Sequence, residues 1–246
     1  AGGDWTISAR SASTGSTTIG GNLGVGSFNH NSGSVTLTGG SHGAYSFYDL
    51  TIGGTVSATG AWTIVRDLTI SSGAWTAGAW THGVGRNWTN GVGTGGFVGA
   101  GSTILFTGAV THAISGATNF NSLSDTVAGS TLTFTAGQTF GVAGALTLTG
   151  SGGSLITVQS STASTFTLNN SAAAAVSYVQ VSHSLAAAAG ITATDSIDLS
   201  GDNTNWNFGV VTWTGTTSTA TDVGTNWSSG VVPGAFSIVT IPSAPA

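Results

Sequence analysis

Along most of the chain apolar residues alternate one by one with threonine, serine or another small residue, in short strokes that each stop at glycine. Ser34-Val35-Thr36-Leu37-Thr38, Thr131-Leu132-Thr133-Phe134-Thr135 and Ala145-Leu146-Thr147-Leu148-Thr149 carry the pattern most clearly. A period of two marks a strand with one buried face, because successive side chains of an extended chain point to opposite sides. Threonine suits the pleat through its branched Cβ, and glycine supplies the positive φ of tight corners. The chain is therefore expected to be almost all strand. Its only helix-tolerant stretches, Ala172 to Ala175 and Ala186 to Ala189, are too short to stand alone as helices.

Many short strands can build a sandwich, a barrel or a solenoid. An internal repeat favours the solenoid. Gly33 to Leu50 aligns with Gly101 to Leu123, pairing Gly33-Ser34 with Gly101-Ser102, His42 with His112 and Phe47-x-x-Leu50 with Phe120-x-x-Leu123. Leu68-Thr69-Ile70 then matches Leu146-Thr147-Leu148 at a slightly wider spacing, a drift that loops on a repeat scaffold absorb. The period set by the two phenylalanines holds three or four coils of about 20 to 25 residues. The expected fold is all-β, a right-handed parallel β-helix of roughly ten to twelve coils and about 50 Å in length. Tandem β-sandwiches are the alternative. The β-helix is placed at residues 1–209, with repeats at about 33–100 and 101–170, followed by a strand segment with a proline-containing tail at 210–246.

Composition changes this picture by excluding partners. Only 4% of the 246 residues are charged, against roughly 25% in an average soluble domain. There is no Lys and no Glu; Arg10, Arg66 and Arg86 stand against eight Asp, for a net charge of −5. Nucleic acid and polybasic membrane attachment both need clustered cations, so neither is expected. No apolar run approaches the roughly 20 residues of a transmembrane helix. Cysteine is absent, which removes disulfides and thiolate metal sites. A chain without Met that begins Ala1-Gly2-Gly3 reads as a processed protein or a segment of a longer one. Together with a surface of Ser, Thr, Asn and Gly, that start points to the cell exterior.

Phe120-Asn121-Ser122-Leu123, Gln138-Thr139-Phe140 with Gly144-Ala145-Leu146-Thr147-Leu148-Thr149-Gly150, Leu155-Ile156-Thr157-Val158-Gln159-Ser160 and Asp202-Asn203-Thr204-Asn205-Trp206 resemble the repeats of very large secreted bacterial surface proteins. Trp213-Thr214-Gly215, followed by Asp222-x-Gly224-x-Asn226-Trp227-Ser228-x-Gly230-x-Val232-Pro233-Gly234, is similar to a module of the same kind of protein. The resemblance implies a right-handed β-helix of the adhesin and autotransporter-passenger type, displayed outside the cell. It implies no particular ligand.

Candidate chemistry is sparse. Asp195-x-x-Asp198-x-x-x-Asp202-Asn203 offers oxygens for Ca²⁺, but it lacks the nonapeptide repetition of calcium-binding β-rolls and reads as solvated loop acids, with a Ca²⁺ site as the alternative. His30, His42, His82, His112 and His183 are scattered; they read as turn or ladder positions, with a metal site as the alternative. Trp62, Trp75, Trp80 and Trp88 cluster, either as core or as a glycan-facing strip. Asn87, Asn169 and Asn226 head Asn-x-Ser/Thr sequons. Glycan-cleaving β-helices need paired acids with a cation nearby. Here there is no adjacent Asp pair, Arg66-Asp67 reads as a local ion pair on a turn, and no Ser/His/Asp spacing suggests a triad. No enzymatic activity, cofactor or metal is expected.

The ends carry the functional expectation. A solenoid presents unpaired strand edges at both ends unless they are capped. Asp4-Trp5-Thr6-Ile7-Ser8 and Phe236-Ser237-Ile238-Val239-Thr240-Ile241 both read as apolar strands without a cap, and Pro233, Pro242 and Pro245 favour an extended tail. The expected function is a structural extracellular protein that self-assembles head to tail into a filament or sheath. Trp5, Ile7, Phe236, Ile238 and Ile241 are expected at the subunit interface. The alternative is a segment of a large surface adhesin that binds glycans or neighbouring cells.

Overall fold

The computed structural model describes residues 10–11, 14–24, 27–172 and 174–242. Among these, the alternating strokes form strands, joined by turns and one 3₁₀ turn at Gly224–Asn226, and there is no α-helix. The ladders between strands are parallel and stack successive coils into a β-solenoid of about nine turns. This settles the choice between solenoid and tandem sandwiches.

Each regular coil gives one strand to each of three faces. The first face begins at Ser16–Ile19 and continues through Ser34–His42, Asp49–Ala58, Leu68–Ser72, Trp88–Asn90, Thr111–Ser115, Thr131–Phe134, Ile156–Ser160 and Val179–Ser182 to Ile197–Asp198. The second takes the later halves of Ser34–His42 and Asp49–Ala58, then Trp75–Thr76 and Phe97–Val98, then Thr118–Phe120, Thr139–Val142, Phe166–Asn170 and Ser184–Ala188. The third runs from Tyr45–Phe47 through Trp62–Ile64, Thr81–Val84, Thr103–Phe106, Ser122–Asp125, Leu146–Thr149, Ala174–Ser177 and Ile191–Thr194 to Trp206–Asn207. Ala174–Ser177 and Ser184–Ala188 are strands, although alanine prefers helix. Their neighbours above and below supply a ladder that outweighs local propensity.

The coils are fewer than the expected ten to twelve because they are uneven and because the chain after Asn207 leaves the regular stack. Ser34 faces Asp49 across a short coil, whereas Trp88 faces Ile114 and Thr131 faces Thr157 across much longer ones. The internal repeat also has a structural meaning that the alignment does not suggest. Phe47 lies on the third face, but Phe120 lies on the second; Leu68 lies on the first face, but Leu146 on the third. The match relates one face to another, because every face repeats the same apolar-polar stroke and glycine corner.

Inward residues stack on their counterparts one coil away. On the third face the column reads Phe47, Ile64, Val84, Phe106, Asp125, Leu148, Val176 and Ala193. On the first it reads Leu50, Leu68, Trp88, Ile114 and Phe134. Aromatic rings fill the axis: Trp62 and Trp75 stack at 5.0 Å and 2°, Trp88 and Phe97 meet edge to face at 5.0 Å, and Phe134 stacks on Phe166 at 4.6 Å. Each such pair adds about 0.5–1.5 kcal/mol beyond the area it buries.

Close coil packing makes single corner glycines indispensable. Gly54 sits where the first face bends into the second, and a Cβ there would overlap the carbonyl oxygen of Thr38 in the coil before. Gly95, on an exposed turn, has nothing within 4 Å of the same position. Gly54→Ala is expected to destabilise the fold by about 1–3 kcal/mol, and Gly95→Ala to change it by less than about 0.5 kcal/mol. Thermal unfolding followed by far-UV circular dichroism checks the pair.

Candidate functional site

Most of the chemistry-bearing residues that the sequence marks out are structural. Trp62, Trp75 and Trp88 are buried in the core; of that cluster only Trp80, 44% exposed, reaches solvent. His42 and His82 are buried corner residues. The backbone N–H of Leu23 donates to His42 Nδ1 at 3.2 Å, leaving Nε2 to donate to Gly39 O at 3.0 Å. His82 repeats this with the Trp62 N–H at 3.0 Å and Ala77 O at 2.9 Å. Burial pushes both imidazoles below their ordinary range, more than their carbonyl bonds raise them. His112 differs, since both its nitrogens face carbonyl oxygens, Arg86 O at 2.6 Å and Gly108 O at 2.9 Å.

Among the described residues no group of three or more His, Asp or Glu side chains is arranged to hold a metal ion. Asp198 Oδ1 accepts from the backbone N–H groups of Ser200 and Gly201 and from Asn203 Nδ2, which closes a turn. Asp202 binds His183 Nδ1 at 2.7 Å through one oxygen and the Ser200 hydroxyl through the other. Ser200, Asp202 and His183 thus meet in space with the carboxylate in the middle. In a nucleophilic triad the imidazole would instead receive the hydroxyl proton. Of the sequon residues, Asn226 is buried and spends its side chain on Thr217, Ser218 and Ala220, while Asn169 is exposed.

Among the described residues, fixed charges of both signs gather at the corner between the third and first faces. There three successive coils place Tyr48-Asp49, Arg66-Asp67 and Arg86-Asn87 above one another, with the Arg66 N–H donating to Tyr48 O and the Arg86 N–H to Arg66 O, both at 2.9 Å. The acidic and amide side chains form their own ladder. Asp49 Oδ1 accepts from the Asp67 N–H at 3.3 Å, Asp67 Oδ1 from the Asn87 N–H at 3.2 Å, and Asn87 Oδ1 from the Ala113 N–H at 2.9 Å. Arg86 grips Asp67 with two parallel bonds, at 2.9 and 2.6 Å. Arg66 is held more loosely, 3.6 Å from both Asp49 and Asp67, with its guanidinium 5.2 Å over the Tyr48 ring. Tyr48 in turn stacks on His30 at 5.6 Å and 26°. Burial pushes the Asp67 carboxyl up, but the bonds from Arg86 and the Asn87 N–H and the two guanidinium charges outweigh it, so Asp67 lies below the usual carboxylate range.

The sequence shows Arg66 beside Asp67 as a pair on a turn. It does not show that Arg86 is the stronger partner, because the register that stacks residue 86 on residue 67 is not written in either segment. The placement of Tyr48, Arg66 and Arg86, one or two residues past the last inward residue of a third-face strand, is the signal available in hindsight.

At the far end, Trp206 and Phe208 stack at 5.8 Å and pack against the last of the core. Contrary to the expectation of a capless end, the segment after Gly224 returns over the final coils. The Gly153 N–H donates to Ser229 O at 3.0 Å, Gly234 lies against Ile197 and Asp198, and Phe236 covers Gly201. Val239–Thr240 pairs in parallel with Val211–Thr212. Phe236, Ile238 and Ile241 are nonetheless 53%, 63% and 59% exposed. Trp5 and Ile7, the other expected interface residues, lie outside the described residues, as does the expected strand around them.

Among the described residues Asp125 is the one acid in the core, set between Phe106 and Leu148. Its oxygens accept from the Val127 N–H at 2.8 Å and the Ser130 hydroxyl at 2.7 Å. Burial raises its carboxyl above the ordinary value, against the opposing pull of those bonds and of His112. A raised acid favours folding fully below the unfolded value near 3.8, and that contribution fades as pH rises through the folded value. Asp125→Asn keeps the bond from the Val127 N–H, lets its amide nitrogen donate to the Ser130 hydroxyl in place of the present bond, and removes the titration. It is expected to raise the melting temperature at neutral pH and to flatten the decline between acidic and neutral pH, as measured by thermal melts across that range. No family model, curated protein or solved structure matches the chain.

Proposed function

We propose that this protein is a structural rod of the cell exterior that joins end to end with further copies of itself into a filament or sheath. The observation that carries the reading is the strand at Val239–Thr240. It closes a parallel ladder, pairs with Val211–Thr212, and bears exposed Phe236, Ile238, Val239 and Ile241 beside it. A parallel edge set among exposed apolar side chains is a ready template for another strand. When the surface that receives it lies at the opposite end of the next copy, the contact is heterologous and does not close, which builds fibres. On this reading the molecule is not an enzyme, and its outward Thr, Ser and Asn ladders keep the rod soluble without charge.

A second reading has the same strand as its support. The edge accepts a further coil of one longer chain equally well, which would make this solenoid a segment of a large surface adhesin. No helix among the described residues is long and apolar enough to cross a membrane, and neither reading needs one.

Removing residues 234–246 is expected to abolish fibres seen by negative-stain electron microscopy of the purified protein while the circular dichroism of the rod persists. Ile238→Asp, at the most exposed of the apolar positions, is expected to do the same without disturbing the fold. Unchanged fibres in both variants would overturn the filament reading. Isolated rods from the unaltered chain, with a parent protein of much larger mass, would favour the adhesin.

A further inference from the structure

We draw no further inference here: the strongest candidate, the outward column of Thr18, Thr36, Thr51, Thr69 and Thr89 along the middle of the first face, is an unpartnered sheet face, and nothing in the structure shows what covers it.

Discussion

Everything in this fold depends on one constraint: each coil must lie on the last in parallel register, so that every side chain meets a counterpart of the neighbouring coil about 4.8 Å away. An apolar residue gains from that arrangement and a hydroxyl tolerates it, but a charge does not. Two like charges about 4 Å apart repel by about 1 kcal/mol in water and about 4 kcal/mol near a protein surface. A column of lysines or glutamates would add that cost at every coil. The 4% charged composition is thus a consequence of the ladder. The exception obeys the same rule, since the corner column of Tyr48, Arg66 and Arg86 is neutralised by Asp49 and Asp67 in the next column.

The same constraint accounts for the polar groups inside. A turn between faces leaves backbone N–H and C=O groups that no strand satisfies, and buried groups of that kind need partners. His42 and His82 each join an N–H of another coil to a carbonyl of their own. Asn90 donates to Gly93 O, Ala117 O and the Thr118 hydroxyl and accepts from the Val92 N–H, and Asp125 accepts from the Val127 N–H and the Ser130 hydroxyl. These residues occupy inward positions that would otherwise hold a Leu or Ile, so each exchanges some apolar burial for a closed corner. Asp125 does this at the largest desolvation cost, as a carboxyl whose acidity shifts toward the neutral form. An amide meets the same hydrogen-bond demand without that cost, as Asn90 shows.

What the sequence made legible follows from range. Alternation is local, so the strands, the buried Leu and Ile positions and the solenoid class could be read from runs such as Thr131 to Thr135. Register is not local. Nothing within Arg66-Asp67 or Arg86-Asn87 says that one stacks on the other, and coils as unequal as those closed by Ser34 with Asp49 and by Trp88 with Ile114 defeat any fixed period. The alignment of Phe47 with Phe120 detected real likeness but between different faces, because three faces built to one pattern look alike in sequence. The alanine runs were opaque for a related reason, since Ala174–Ser177 is a strand through what lies above and below it.

Register also confines where such a rod can carry function. Inward positions belong to packing, corner turns to backbone satisfaction, and outward positions in mid-face to neighbours that must resemble them. Variation without structural cost is left at the outer edges of corners and at the ends, where a residue has fewer counterparts to match. Those are the two places where this chain concentrates unusual side chains. At the corner it sets His30, Tyr48, Arg66 and Arg86 in a line, and at the end it leaves Phe236, Ile238 and Ile241 in solvent. Even at the corner the line is closed by its own members, since Tyr48 lies between His30 and Arg66, and Arg66 lies 3.6 Å from both Asp49 and Asp67.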